Sequence, residues 1–406
     1  MIKVLRIFDP PESYLQSFLG NSTVAGKSYE ERMNLFFNDK FGQSNFLSSA
    51  LNELDFPTLD LIPNFESAQK SWAKERGVAF EETSWKLQIL NEQIKHYKPE
   101  ILFFVGWGYG YEFIKEIKEK HSCVKRVVLW IGESIPDQKF YQYYDAIITC
   151  DEGNRTYLEQ QGIMAFQIHH AFSSELAKGF EDIVKQNQIG FAGSLKAGDS
   201  EHNYRAKILC NLLEEFDINA YGLVSFNPAY NTQTVKGRLI KSYHEIIGRV
   251  DKLSNNLAQQ MPKYRSYAEM GKLIEILKMF EEIKEIIKAP LYGREYISFI
   301  KSSLIVLNSH SNTAIASNMR LFEVTGQGTC ILTDYKENMS QLFKENDEVV
   351  CYRNMDELLE KARYLMRNPL EAKQIGERAK LRVLQEHTYQ HRAPIYIECF
   401  KKILHG

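Results

Sequence analysis

The sequence predicts an α/β protein built from two doubly wound domains. Short runs rich in Val, Ile, Phe and Tyr recur between amphipathic helical stretches, which is the pattern of parallel sheets made from βαβ units. The runs form two series, separated by a polar, charged stretch over 173–187 that predicts a linker. A chain of 406 residues is also long enough for about two domains, at roughly 100–200 residues each.

The first series predicts a domain over residues 1–178. Its expected strands are 2–8, 58–63, 101–107, 124–132, 146–150 and 165–169. The N-terminal run is short and interrupted by charge, so it indicates a first strand rather than a signal peptide. No apolar run approaches the roughly 20 residues that a membrane helix needs. We therefore expect a cytosolic protein. Peripheral contact with the inner face of the membrane is still compatible with the sequence.

The second series predicts a domain over residues 188–387. Its expected strands are 188–193, 218–222, 303–308, 329–333 and 347–352. Residues 241–289 break the alternation with a long amphipathic helical stretch, which indicates a helical insertion. Such an insertion either packs on its own domain or forms an arm that makes a homodimer or recruits an acceptor. Asn354 and the Asn368-Pro369 pair predict helix starts near the C-terminus.

Composition excludes several classes of function. The formal net charge is -2, which supplies no electrostatic reason to expect nucleic acid or an anionic membrane as the main partner. The six cysteines show no CxxC pair and no metal-ligand spacing, so free thiols in a reducing compartment are expected. The motifs DxD, GxxxxGK[ST], GxSxG and HExxH are absent from the sequence. We expect no metal cofactor, and triad hydrolysis is disfavoured.

Candidate ligand-binding residues should follow strands, because open parallel sheets bind ligands at the carboxyl ends of their strands. Gly193 and Ser194 directly follow the first strand of the second series. Glycine there lets backbone N–H groups approach a phosphate, and Arg205 downstream, with His202, can add a charged contact to the same anion. The alternative is a plain turn.

A second candidate feature is a helix expected to begin near Ala316. Arg320 and Glu323 lie one turn apart on it and share a face. An exposed Glu323 can accept hydrogen bonds from ribose hydroxyls, and Arg320 can neutralise a diphosphate. The alternative is a surface ion pair worth a few tenths of a kcal/mol. The turn that starts at Gly326 closes the helix early and favours the functional interpretation, since it brings backbone beside the same cleft.

Candidates for chemistry and for acceptor binding are less specific. Glu133 follows a first-domain strand beside Trp130, where a partly apolar cleft can raise the pKa of a general base; a loop carboxylate can equally cap the next helix. His310 is either a catalyst or a hydrogen-bonded loop histidine. Three aromatic residues form either a platform for a sugar ring or a tight turn with packed rings: Trp107, Tyr109 and Tyr111.

Several motifs together resemble those of one family. They are 189–195, His202 with Arg205, 317–326, 332–334, 348–350 and 386–389, with 130–133 in the first domain. The most specific is Met-Arg-Leu-Phe-Glu followed by Val-Thr-Gly. This set resembles the bacterial glycosyltransferases related to the spore-maturation protein CgeB, a branch of the group 1 glycosyl transferases.

That resemblance implies the GT-B fold, two Rossmann-like domains facing across a cleft. It implies metal-independent transfer from a nucleoside diphosphate sugar, such as a UDP-sugar, to a saccharide, lipid-linked or protein acceptor in bacterial polysaccharide biosynthesis. Residues 388–406 would form a helix that crosses back to the first domain. Glu323 would bind the donor ribose, and the rest of the donor set would be Gly193, Ser194, Arg205, Asn318, Arg320 and Gly326.

The resemblance leaves the stereochemistry open. Many retaining GT-B enzymes carry two glutamates spaced E-x7-E, and Ile315 stands where the first would be. Two other functions also fit the sequence: a sugar-nucleotide epimerase on the same scaffold, and a non-catalytic assembly or coat protein. An epimerase would convert the donor with no acceptor present, and an assembly protein would bind no nucleotide.

Overall fold

The first domain of the protein is a six-stranded parallel sheet. The computed structural model describes residues 2–106, 109–132, 141, 143–197, 200–226, 276, 278–310, 315, 316 and 318–406. The strand order is β2-β1-β3-β4-β5-β6, and every neighbouring pair is parallel. The strands are β1 (Val4–Phe8), β2 (Thr58–Leu61), β3 (Ile101–Val105), β4 (Arg126–Ile131), β5 (Ala146–Thr149) and β6 (Ala165–Gln167).

Helices cover both faces of this sheet. Alternate residues of β3 belong to two different apolar clusters, with Phe103 in one and Phe104 in the other, because successive side chains of a strand point to opposite faces. The helices are α1 (Glu12–Asn21), α2 (Tyr29–Asn38), α3 (Phe46–Asn52), α4 (Glu66–Glu75), α5 (Trp85–Tyr97), α6 (Tyr111–Lys120) and α7 (Glu152–Gln160). A capping box between Ser28 and Glu31 fixes the start of α2.

The second domain has a five-stranded parallel sheet in the order β13-β12-β11-β7-β9. A separate two-stranded parallel sheet pairs β8 with β10, and the sequence analysis did not predict it. The strands are β7 (Ile189–Ala192), β8 (Leu195–Ala197), β9 (Ile218–Tyr221), β10 (Val224–Phe226), β11 (Ile305–Leu307), β12 (Cys330–Asp334) and β13 (Val350–Tyr352).

The helices of the second domain and of the C-terminus are α8 (Ser200–Leu213), α9 (Gly293–Ser302), α10 (Met319–Gly326), α11 (Met339–Leu342), α12 (Met355–Arg367), α13 (Pro369–Glu386) and α14 (Tyr389–His405). The expected helix starts at Asn354 and at Asn368-Pro369 are present. The expected start of α10 near Ala316 was wrong by three residues, because the side chain of Asn318 accepts from the Leu321 N–H and caps the helix there.

Most of the predicted insertion over 241–289 lies outside the described residues. Its described end is helical over 278–286, where Phe280 and Ile283 are fully buried in the core of the second domain. Lys288 then pairs with Tyr221 in a parallel bridge that extends the edge of the sheet beyond β9. This end of the insertion therefore packs on its own domain.

The C-terminal helix joins the two domains. Helix α14 packs along α3, and the Arg126 Nε donates to the Ile403 carbonyl at 2.7 Å. At its start, Phe172 of the segment after β6 donates its N–H to the His387 carbonyl and accepts from the Tyr389 N–H. Within the described residues no helix is long and apolar enough to cross a membrane.

A buried ion pair supports one loop of the first domain. Arg6 is fully buried, and its Nη1 donates to Asp60 Oδ1 and to the Ser44 carbonyl, each at 2.7 Å. Its Nη2 donates to Gln43 Oε1 at 3.2 Å. The loop after α2 has left-handed backbone at Lys40, Gly42 and Ser44, which is unfavourable for residues other than glycine. The hydrogen bonds of Arg6 therefore stabilise a strained turn.

Candidate functional site

A cleft of about 400 Å³ lies between the two domains, and most of its wall comes from the second. Six of the seven predicted donor-binding residues line it: Gly193, Ser194, Arg205, Asn318, Arg320 and Glu323. They come from the end of β7, from α8 and from α10 with its N-cap. The parallel topology explains this convergence, because the carboxyl ends of neighbouring strands meet at one edge of a sheet.

The turn after β7 brings backbone into the cleft. The Gly193 N–H donates to the Tyr221 carbonyl at 2.9 Å, and the Gly193 carbonyl lies so close to Gly222 that a Cβ there would overlap it. A Cβ on Gly193 itself would lie 3.3 Å from Arg320 Nη2. Glycine at 193 therefore lets the guanidinium lie directly against the turn.

Arg320 is held in place but keeps hydrogen-bonding capacity. Its Nη1 donates to Asn308 Oδ1 at 3.4 Å, a long contact, and its Nε is buried without a partner among the described residues. Asn308 is in turn fixed by Asn318, whose Nδ2 donates to it at 2.9 Å. A guanidinium with an unused donor beside a glycine turn and a helix N-terminus is suited to an anion.

Glu323 is buried, whereas the sequence analysis expected an exposed side chain. Only 9% of the residue is exposed, because Tyr296 of α9 covers it and donates from Oη to Glu323 Oε2 at 3.2 Å. Burial raises the pKa of Glu323 to about 7, although Arg320 and the Tyr296 hydrogen bond work in the opposite direction. The alternative of a surface ion pair is thereby excluded.

Arg205 and His202 approach the cleft from α8. Arg205 lines the cleft, and His202 Nδ1 lies 2.8 Å from the Ser194 carbonyl, which accepts from it. This contact ties the first turns of α8 to the turn after β7. The cleft thus combines two guanidiniums with a backbone turn at one end and a buried carboxylate beside them.

Gly326 does not line the cleft. A Cβ on it would lie 2.5 Å from Phe172 Cγ, so glycine is needed there for close packing of α10 against the segment after β6. The turn after α10 does end the helix as expected, with Gly328 at φ 71°. Gly326 is therefore needed for packing. The prediction that Gly326 contacts the donor is corrected, because the residue does not line the cleft.

His310 is also outside the cleft lining. It is 3% exposed, and its Nδ1 lies 3.0 Å from Asp334 Oδ1, which also accepts from the His310 N–H. Burial opposes ionisation of Asp334, but these hydrogen bonds hold the pKa of Asp334 below its usual range. His310 thus makes hydrogen bonds of the kind expected for the loop-histidine alternative.

The predicted catalytic and aromatic residues fall partly outside the described structure. Glu133 and Trp107 both lie outside the described residues. Tyr109 packs against Phe113 and Phe104 in a first-domain cluster, whereas Tyr111 is 39% exposed and stacks on Tyr143. Neither tyrosine lines the cleft. Tyr109 packs against the apolar cluster, as the alternative interpretation expected.

Several residues of the cleft lie outside the motif and were not predicted from the sequence. Tyr292 and Tyr296 come from α9 and the loop before it, Gln327 from the end of α10, and Lys40 and Phe41 from the loop after α2. The only available signal was the position of Gln327 four residues after Glu323. For the first-domain loop, no periodicity or motif pointed to the cleft.

Residues 264–398 match the family model described as glycosyl transferase-like. The whole fold is similar to a glycosyltransferase from Rickettsia africae, at 12% identity over 99% of each chain with a TM-score of 0.51. It is similar to Anabaena Alr3699/HepE in complex with UDP and glucose, at 10% identity over 99% of this chain and 100% of that one, with a TM-score of 0.51.

A third similar structure is AviGT4, a glycosyltransferase involved in avilamycin A biosynthesis, at 12% identity over 100% of this chain and 99% of that one, with a TM-score of 0.50. No curated protein matches the sequence. The expected GT-B fold is confirmed. With the family match, the expectation that the protein is a glycosyltransferase is confirmed as well.

Proposed function

We propose that this glycosyltransferase transfers a sugar from a UDP-type donor to a saccharide, lipid-linked or protein acceptor without a metal ion, as in the CgeB-related branch of the family. The observation that carries the proposal is the arrangement on α10. Arg320 lies against the Gly193 turn with an unused buried donor, and Glu323 lies one turn later as a buried carboxylate.

The diphosphate would bind where positive charge and backbone donors converge. The Gly193-Ser194 turn, the N-terminus of α10 and the guanidiniums of Arg205 and Arg320 line one end of the cleft. During transfer, negative charge grows on the leaving nucleoside diphosphate, and fixed cations close to it lower the barrier. Two guanidiniums and a helix dipole can supply this stabilisation, which supports a metal-independent reaction.

The ribose would bind at Glu323. A carboxylate accepts hydrogen bonds from two neighbouring hydroxyls, and a pKa of about 7 keeps a large share of Glu323 ionised at neutral pH. Tyr296 orients one carboxylate oxygen. The UDP and glucose bound to Anabaena Alr3699/HepE support a UDP-sugar as the donor for this chain.

The acceptor would approach from the first domain. Glu133 follows β4 and the Trp130-Ile131-Gly132 segment, and it remains the proposed general base if transfer inverts the anomeric centre. A retaining reaction would need another role for it.

Six free cysteines support action in a reducing cytoplasm. Peripheral membrane contact and a homodimer through 241–289 are further proposals, which vesicle sedimentation and light scattering of a 241–275 deletion would test.

Calorimetry with UDP and with uridine tests the assignment of Arg320. Hydrogen bonds to charged groups are worth about 1.5–3 kcal/mol, so Arg320→Ala should weaken UDP roughly 10- to 100-fold. Uridine has no phosphate, so it should lose less affinity than UDP; its smaller loss comes from Glu323, whose pKa rises further when Arg320 is removed. Arg363→Ala, at a surface pair with Glu215, is the matched control and should leave both affinities unchanged. Equal UDP affinity in the Arg320 variant and in wild type would reject the assignment.

Turnover distinguishes the proposed transferase from the two other functions. UDP release from a UDP-sugar should require an acceptor. Conversion of the donor sugar with no acceptor present would instead identify an epimerase. Failure of the wild-type protein to bind any nucleotide would favour a non-catalytic assembly protein.

A further inference from the structure

Gln327, in the turn that ends α10, is a further polar residue that faces the cleft. Gln327 lines the cleft and is only 3% exposed. Its Nε2 donates to the Leu176 carbonyl at 2.8 Å, whereas its Oε1 is buried without a partner among the described residues. The Leu176 carbonyl can only accept, so it fixes which end of the amide is the nitrogen.

A buried amide oxygen without a partner is unfavourable. Leaving such an acceptor unsatisfied costs about 1–3 kcal/mol, and buried polar groups are nearly always hydrogen-bonded in folded proteins. A ligand that places an N–H or O–H group at this position removes the cost. Gln327 Oε1 is thus an acceptor available to a bound molecule.

The position of Gln327 indicates which part of a nucleotide would reach it. Arg320, Glu323 and Gln327 are spaced i, i+3 and i+7, so they share one helix face. At 1.5 Å rise per residue, Arg320 and Gln327 lie about 10 Å apart along the axis. The Gly193 turn lies at the Arg320 end and Leu176 at the Gln327 end.

Aliphatic residues lie near the Gln327 end of the cleft. Leu176 accepts from Gln327, and the Ile300 carbonyl accepts from Oγ1 of Thr329, two residues beyond Gln327, at 3.0 Å. Both residues line the cleft, together with Ile297 of α9. Phosphates would bind at the arginine end and ribose in the middle, at the carboxylate. The remaining part of a nucleoside diphosphate is its flat, largely apolar base, which suits the aliphatic walls near Gln327.

We propose that Gln327 Oε1 accepts a hydrogen bond from the ring imino N–H of the donor's nucleobase, so that the protein prefers a uracil- or thymine-type base over cytosine. This inference rests on the proposed function. Uracil carries a hydrogen on N3, whereas N3 of cytosine is an acceptor and would face the Gln327 oxygen with like partial charge. A neutral amide, fixed at its nitrogen by Leu176, is selective because it cannot reverse its donor and acceptor ends.

Calorimetry tests this inference with UDP, CDP and 2′-deoxy-UDP. Wild-type protein should bind UDP about tenfold more tightly than CDP, since one net hydrogen bond and one avoided repulsion separate the two. Gln327→Met keeps the side-chain length and removes the acceptor, so the ratio of the two affinities should fall to about one. Gln93→Met is the matched control, because Gln93 is a buried glutamine of the first domain whose Oε1 also has no partner among the described residues.

The affinity ratio separates recognition from a structural role. If Gln327 only holds Leu176, the methionine variant would weaken UDP and CDP equally, and the inference would be wrong. Loss of discrimination between UDP and 2′-deoxy-UDP alone would assign Gln327 to a ribose hydroxyl, which also overturns it.

Three further outcomes have defined consequences. If the methionine variant does not fold, wild-type affinity for UDP methylated at N3 decides, because equal binding of the methylated and normal nucleotide contradicts the proposal. If wild-type protein binds no nucleoside diphosphate, the proposed function fails together with this inference. If it binds UDP and the methionine variant keeps the wild-type preference, only this inference fails.

Discussion

Replacing Glu323 by glutamine should stabilise the unliganded protein and weaken donor binding, and both effects should depend on pH. Glutamine keeps the size of the side chain and an acceptor for Tyr296, but it removes the buried charge. Burial raises the pKa of Glu323 to about 7 from its ordinary value of 4.5. Between these two values the folded protein holds a proton that the unfolded chain releases.

The sign of the stability effect follows from this difference. Because the folded state binds more protons between pH 4.5 and 7, its free energy of unfolding falls as pH rises through that window. Each pKa unit corresponds to about 1.4 kcal/mol, so Glu323 ionisation costs about 3 kcal/mol by pH 8. The glutamine variant lacks this cost. Its unfolding free energy relative to wild type should therefore rise by about 3 kcal/mol between pH 4 and pH 8.

Donor binding should change in the opposite direction. The ionised carboxylate accepts from ribose hydroxyls more strongly than a neutral amide does, by about 1.5–3 kcal/mol for bonds to a charged group. At pH 8 the variant should bind UDP roughly 10- to 100-fold more weakly. Near pH 5 wild-type Glu323 is protonated, so the two affinities should converge.

Urea unfolding from pH 4 to pH 8, followed by calorimetry with UDP, measures both effects. Glu348→Gln is the control, because Glu348 is also buried but accepts from the Lys344 N–H outside the cleft. It should leave UDP affinity unchanged. If the unfolding free energies of wild type and Glu323→Gln differ by the same amount at every pH, the raised pKa of Glu323 is wrong. If UDP affinity at pH 8 is unchanged, the ribose assignment fails.

Three further substitutions test the surroundings of the cleft. Gly326→Ala should lower the unfolding free energy by about 1–3 kcal/mol, because its Cβ would overlap Phe172, and UDP affinity of the folded protein should stay the same. Gly222→Ala should weaken UDP binding, measured by calorimetry, because its Cβ would displace the Gly193 carbonyl and the phosphate turn with it. Arg6→Met should cost about 3–5 kcal/mol in urea unfolding, because it leaves Asp60 buried without its counter-charge; a loss below 1 kcal/mol would contradict this.

The sheets could be predicted because their strands are continuous apolar runs. Every expected strand is present, with boundaries within about three residues, since strands buried on both faces need little beyond local composition. The pair β8 and β10 was not predicted because Lys196 and Ser225 stand in the middle of these strands, so neither forms a continuous apolar run. The start of α10 was misplaced because Asn318 caps it through a side-chain hydrogen bond that periodicity does not contain.

Only the parts of the cleft that depend on neighbouring residues in the sequence were predicted. Gly193, Arg320 and Glu323 follow strands or share a helix face, and both features are visible in sequence. The burial of Glu323 depends on Tyr296, and the packing of Gly326 depends on Phe172, and both contacts join distant parts of the chain. A glycine can be needed for a turn, for close approach of a ligand or for tight packing. The sequence alone does not distinguish these three roles.

The first domain supplies one wall of the cleft through residues that also form the interface between the domains. Phe41 stacks on Tyr14 with ring centroids 3.7 Å apart, and both rings meet Tyr292 edge-on. Gly293, at φ 49°, lies against Asp39, where a side chain would overlap the carboxylate.

The same contacts therefore define the donor cleft and the relative placement of the domains. A substitution at Phe41 or Tyr292 changes the cleft wall and the interface together, and so does one at Gln327, which donates to the Leu176 carbonyl of the first domain. A substitution at Glu323 changes the second domain's contribution alone. For this reason Arg320 and Glu323, whose described contacts are Asn308, the Gly193 turn and Tyr296, are the residues at which nucleotide recognition can be tested separately from the interface.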